Sequence, residues 1–151
     1  MTGGVAMQYS LPAYAEIPNV GLYLEQVTKY LNEYLEPLGC GTLTGSMVSN
    51  YVKKGLLNNP VKKQYDREHL AWLLIIAVAK TVLSLEEVQQ LLEQQKDQPV
   101  QQVYDSFCHM LPETLTAVFA REQSGSLLQD TVTAVAHRLY LETRFQRERE
   151  A

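Results

Sequence analysis

The sequence predicts an all-α fold, with a wing that is minimal or absent and a C-terminal helical bundle. Three observations carry this. Apolar residues recur at spacings of three and four through most of the chain. No strand-like alternation persists anywhere. Three helix starts with side-chain caps fall within the fifty residues from Leu43 to Leu92.

Residues 1–18 read as an arm, since Gly3, Gly4, Pro12 and Pro18 interrupt any periodicity. From Val20 to Leu38 one apolar stripe, Leu24, Val27, Leu31, Leu35 and Leu38, predicts a long helix. Pro37, Gly39 and Gly41 then break the chain. Thr44 can cap a second helix of about Gly45 to Lys54, with Leu43 and Val48 spaced as a hydrophobic staple and Gly55 as its stop. Asp66 starts a third helix, stapled by Tyr65 and Leu70 and apolar on nearly every side. Trp72 reads as part of that core. Ser84 and Glu87 form a capping box for a fourth helix, with Leu83 and Val88 as its staple. The polar run 93–98 marks a boundary, giving a domain at 19–97 and a C-terminal dimerisation or effector region at 98–151. In that region Pro112 fits the first turn of a new helix, and Gly125 breaks the chain again. The last helix, from about Leu127, carries Leu128, Val132, Val135 and Leu139 at four, three and four, like a heptad seam.

With 151 residues and 46% hydrophobic content, the chain can bury one good core or two small ones. It contains no run of eighteen apolar residues, so no membrane span is expected. The first ten residues lack a charged region followed by a long apolar one, so no signal peptide is expected. Two cysteines, Cys40 and Cys108, make no disulfide framework, which favours a reducing cytoplasm.

The charge is unevenly spread. From Thr42 to Glu68, five positive side chains (Lys53, Lys54, Lys62, Lys63, Arg67) meet two negative ones, Asp66 and Glu68. That is a local net of +3 in a chain of net −4. A basic island in an acidic protein is the footprint that phosphate contact requires. On the second helix, Ser46, Ser49, Asn50 and Lys53 form one stripe opposite Met47, Val48 and Tyr51. Such a stripe can be an ordinary solvated face. It is also what a helix in the major groove needs, because base edges are read by donors and acceptors. Tyr65, beside Lys62 and Lys63, offers a hydroxyl to a phosphate oxygen.

The segments VKKGLLNNP, KKQYDREHL and LSLEEVQQLL resemble, in order and spacing, the N-terminal domain of MerR-type regulators, a winged helix-turn-helix. Together with LYLEQV and LTGSMVSNYVKKGLL they resemble the YkrK-like family of uncharacterised bacterial proteins, over roughly residues 17–92. The resemblance places Tyr51, Gly55, Leu56 and Leu57 on the MerR Tyr and Gly-Leu-Leu positions. It also places Lys63 and Tyr65 on the wing residues that there face phosphates. Ser46 and Ser49 stand where MerR proteins usually carry arginines, and only ten residues separate Gly55 from Asp66. A short wing and weak binding by a single copy follow, and with them a homodimer through the C-terminal helices.

Chemistry has few footholds. His69, His109 and His137 are scattered, and the adjacent Cys108 and His109 do not share a helix face, so no metal site is expected. Glu86 and Glu87 belong to a helix start. No phosphate-cradling glycine loop or serine elbow is present. Neither an enzyme nor a cofactor is expected. Two readings remain: a regulator that binds double-stranded DNA through Ser46, Ser49, Asn50, Lys53, Lys54, Lys62, Lys63, Tyr65 and Arg67, with room for a small-molecule effector, or a helical adaptor that contacts protein. The basic island separates them, because only the first needs it.

Overall fold

A computed structural model describes residues 10–120 and 126–151. The expectations for Gly3, Gly4 and the break at Gly125 lie outside the described residues. Among the described residues the regular structure is helical: a 3₁₀ turn at Tyr14–Glu16, then α1 (Leu24–Leu38), α2 (Gly45–Lys53), α3 (Arg67–Ala79), α4 (Leu85–Gln94), α5 (Val100–Phe119) and α6 (Leu127–Glu150). The only extended pairings among them are isolated bridges, Leu22 with Tyr65 and Val61 with Gln64.

The three capped starts form as their sequences dictate. The Thr44 hydroxyl accepts from the Met47 N–H at 3.2 Å. An Asp66 carboxylate oxygen accepts from the His69 N–H at 3.0 Å. In the Ser84 box, the Ser84 N–H donates to Glu87 Oε1 at 2.8 Å, and the Glu87 N–H to Ser84 Oγ at 3.2 Å. All three staple pairs are buried: Leu43 with Val48, Tyr65 with Leu70, Leu83 with Val88.

Helix α3 is the hub. Leu70, Ala71, Leu73, Leu74, Ile75 and Ile76 are buried along it, so no single face is left for solvent. It packs against α1, which contributes Val27, Leu31 and Leu35, and against α5, which contributes Tyr104. Trp72, expected in the core, is half-buried and lines a polar cleft with His69, Glu93, Lys96 and Gln98.

Four features differ from the sequence expectations. Helix α1 begins at Leu24 rather than near Val20, because Gly21 takes φ +76° and Leu22 pairs with Tyr65. The N-terminal segment is no free arm from Ser10 onward. Ile17 is fully buried, and the Tyr104 hydroxyl donates to the Pro12 carbonyl at 2.7 Å. Pro112 lies inside α5 and does not open a new helix. The ring leaves the Cys108 carbonyl without its helical donor, a local cost that the half-buried setting of Pro112 tolerates. Finally, the compact units divide after Phe119, as Met1–Phe119 and Ala120–Ala151, rather than at Gln98. The polar run ends α4 and turns at 95–98 within the first unit, and α5 beyond it packs on α3.

The second unit is α6. Ser126 caps it, its hydroxyl accepting from the Gln129 N–H at 3.3 Å. Leu128, Val132, Val135 and Leu139 are all at least half exposed along it. No helix among the described residues is long and apolar enough to cross a membrane.

Candidate nucleic-acid interface

Helix α2 is held on three sides. Before it, the Asn32 side chain on α1 pairs with the backbone of Leu43. Asn32 Oδ1 accepts from the Leu43 N–H at 2.8 Å, and Nδ2 donates to the Leu43 carbonyl at 2.9 Å. Beneath it, Tyr51 is buried, with Lys80 Nζ donating to its hydroxyl at 3.1 Å and lying 5.2 Å from the ring centre. Behind it, Gly55 at φ +83° reverses the chain, and the Leu56 N–H returns to the Tyr51 carbonyl at 2.9 Å. Leu56 and Leu57 then anchor the loop in the core.

His69 ties that loop to α3. Its Nε2 sits 3.1 Å from the Asn58 carbonyl, which can only accept, so Nε2 carries a proton. Nδ1 faces Asp66, its carboxylate Oδ1 at 2.9 Å and its backbone N–H at 3.1 Å.

The face of α2 turned outward carries Ser46, Ser49, Asn50 and Lys53, all exposed. With Gly45 and Leu24 they line one shallow open groove. Its walls carry no carboxylate.

The connection between α2 and α3 makes a two-residue turn. The Val61 and Gln64 backbones exchange hydrogen bonds of 3.1 and 2.9 Å. Between them Lys62 has φ 52° and Lys63 φ 65°. Two central residues at positive φ are the signature of a type I′ hairpin turn, a geometry usually given to Asn-Gly. Two lysines hold it here, at about 1 kcal/mol or more of backbone strain each. Both are exposed. The hairpin is of the shortest form, with two ammonium groups at its tip.

The base of the hairpin is clamped. The Leu22 N–H donates to the Tyr65 carbonyl and the Tyr65 N–H to the Leu22 carbonyl, both at 2.8 Å. Lys63, Pro60 and Tyr65 line a hollow with Tyr23, Leu24, Glu25 and Gln26. Leu24 borders both this hollow and the groove of α2, so the polar stripe and the lysine turn flank the first turn of α1.

Of the nine residues singled out in the sequence, six sit on this surface: Ser46, Ser49, Asn50, Lys53, Lys62 and Lys63. Lys54 is exposed but borders a different hollow, with Ser84, Leu85, Glu86 and Gln89. Tyr65 is buried as the hairpin base, its ring edge-on to His69 at 5.3 Å, and burial raises its hydroxyl pKa above the usual value. Arg67 points inward. Its Nε donates to the Ile17 carbonyl at 2.8 Å, and its guanidinium lies 5.4 Å from the centre of the Tyr14 ring. Asn32 was not singled out. An asparagine on the edge of an apolar stripe has no local signal for a partner eleven residues away.

Among the described residues no group of three or more His, Cys, Asp or Glu side chains could hold a metal ion. The thiols of Cys40 and Cys108 are both pushed up by burial, which makes them poor nucleophiles.

These features define a class, an all-helical domain with a carboxylate-free polar helix face beside a lysine turn. The chain belongs to the family described as domain of unknown function DUF1836, whose profile matches residues 12–107. That span takes in the docked N-terminal segment, α1 to α4 and the start of α5. No curated protein and no solved structure matches the chain.

Proposed function

We propose that the protein is a DNA-binding transcriptional regulator whose first unit is a MerR-like winged helix-turn-helix. In this reading α2 lies in the major groove, with Ser46, Ser49 and Asn50 toward base edges. Lys53 and the Lys62–Lys63 turn meet phosphates on either side. The observation that carries the reading is the turn. Two consecutive lysines hold a strained left-handed conformation at an exposed tip, where Asn-Gly would sit without strain. Strain kept at a surface position is accounted for when the side chains, not the backbone, are what the position needs. The resemblance to MerR-type regulators and to the YkrK-like family supports the same class.

The serines of α2 make few charged contacts, so affinity would come from a pair of modules. We place that pairing on the second unit, where Leu128, Val132, Val135 and Leu139 give α6 an exposed seam of 3.5-residue period. The alternative reading, an adaptor that contacts protein, uses the same exposed seam but leaves the lysine turn without a role.

The experiment is retention of random duplex DNA by the full chain across a salt series. Binding that falls steeply with salt, and a slope reduced by about two in the Lys62→Ala, Lys63→Ala double variant, is the expected result. An unchanged slope would remove the turn from the phosphate contacts, and no binding at low salt would favour the adaptor.

A further inference from the structure

The segment from Ser10 to Leu22 touches α5 at Tyr104 and, at two points, the junction of the hairpin with α3 at Tyr65 and Arg67. At Pro12 its carbonyl accepts from the Tyr104 hydroxyl of α5 at 2.7 Å, a bond made in full burial. At Ala15 and Ile17 its carbonyls accept from Arg67 at the head of α3, at 3.4 and 2.8 Å. At Leu22 it exchanges two backbone bonds with Tyr65, at the base of the lysine turn. Between the last two, the backbone at Gly21 runs close to the hairpin, and a Cβ there would lie 3.3 Å from the Gln64 Cβ.

We propose that this segment is a strap that sets the position of the Lys62–Lys63 turn, with Arg67 as its central positioning residue. A two-residue hairpin with a single bridge is not stable alone. Something outside it must fix where its tip points. The Leu22–Tyr65 pairing supplies that, and Leu22 is itself located by the chain that precedes it. Arg67 locates that chain through a guanidinium held on two carbonyls and over the Tyr14 ring, a planar fork that a lysine cannot reproduce. Ile17, fully buried, locks the same point from the apolar side. Arg67 thus adds to the basic island in the sequence but acts on DNA through the position of two other cations. For its DNA consequence, the inference rests on the function proposed above.

The test uses Arg67→Lys in the full chain, which keeps the charge and removes the fork. Amide hydrogen exchange is read first and needs no DNA. Exchange at Leu22 and Tyr65 should accelerate on the order of tenfold or more, while the amides of residues 73–76 keep their protection. Unchanged exchange at Leu22 and Tyr65 would overturn the strap. Equal acceleration through residues 73–76 would also overturn it, since Arg67 would then support the whole fold rather than the turn. Duplex retention is read second. The salt slope of Arg67→Lys should fall by about two, although no charge has been lost. A slope equal to that of the unaltered chain would overturn the link between strap and turn. If the unaltered chain binds no duplex, the proposed function fails, and the exchange result still decides the strap.

Discussion

Replacing Lys62 by Asn and Lys63 by Gly should make the protein more stable and a weaker DNA binder at once. At φ 52° and 65°, each lysine bears a left-handed backbone penalty of about 1–2 kcal/mol. Asn tolerates that region, and Gly occupies it without strain, though Gly returns roughly 0.5–1 kcal/mol through the freer unfolded chain. The pair should therefore gain about 1–2 kcal/mol, which for a unit of this size raises the melting temperature by roughly 5 °C. Removing two phosphate contacts should flatten the salt dependence by about 1.8 in log–log slope, so the affinity ratio of native to variant chain shrinks about twelvefold between 50 and 200 mM salt. Thermal unfolding and fluorescence anisotropy of a labelled duplex measure the two quantities on one sample. A variant that melts lower would refute the strain argument. A variant that melts higher but binds with the native slope would refute the purpose assigned to the strain.

Three further outcomes are expected. Asn32→Ala leaves the Leu43 N–H and carbonyl without partners ahead of α2, and it should cost about 1–3 kcal/mol in denaturant unfolding. A loss under 0.5 kcal/mol would mean water replaces the side chain. Tyr104 is held well above its usual value of 10 by burial first and then by its hydrogen bond with Cys108. Because the folded state keeps the proton longer than the unfolded one, stability is full below pH 10 and falls above it, by about 1.4 kcal/mol per pH unit. Tyr104→Phe should be less stable than the native chain at neutral pH and show a shallower alkaline decline. Equal alkaline slopes would remove Tyr104 from that linkage. Val135→Asp on the exposed seam of α6 should shift sedimentation toward a single chain with little change in helicity. A native protein that sediments as a single chain at all concentrations would remove the dimer from the proposal.

What could be read from the sequence was local. Ser84 and Glu87 are three residues apart, and so are Asp66 and His69, so each cap is complete within one turn. Gly55 announced the end of α2 by its own conformational freedom. The stripe of Ser46, Ser49, Asn50 and Lys53 followed from helical period alone. The lysine turn was not legible in this way, since Lys-Lys carries none of the Asn, Asp or Gly signals that mark a two-residue hairpin. Charge alone placed Arg67 among the phosphate contacts. Its actual partners lie fifty residues earlier in the chain, and a periodicity argument does not reach that far. The same holds for Tyr104 and Pro12, ninety-two residues apart. The boundary expected near residue 97 rested on the polar run, although the third helix, apolar on nearly every side, already called for a cover from beyond that run.

That requirement bears on how the molecule can be cut. A fragment ending at the polar run 93–98 would keep every residue of the proposed DNA surface, yet expose the flank of α3 that α5 covers and free the Pro12 end of the strap. Such a fragment should be sticky and prone to precipitate. A minimal version of this domain for crystals or for fusion to another protein should extend through Phe119. Helix α5, of which only the start lies within the family's matched span, closes part of the core.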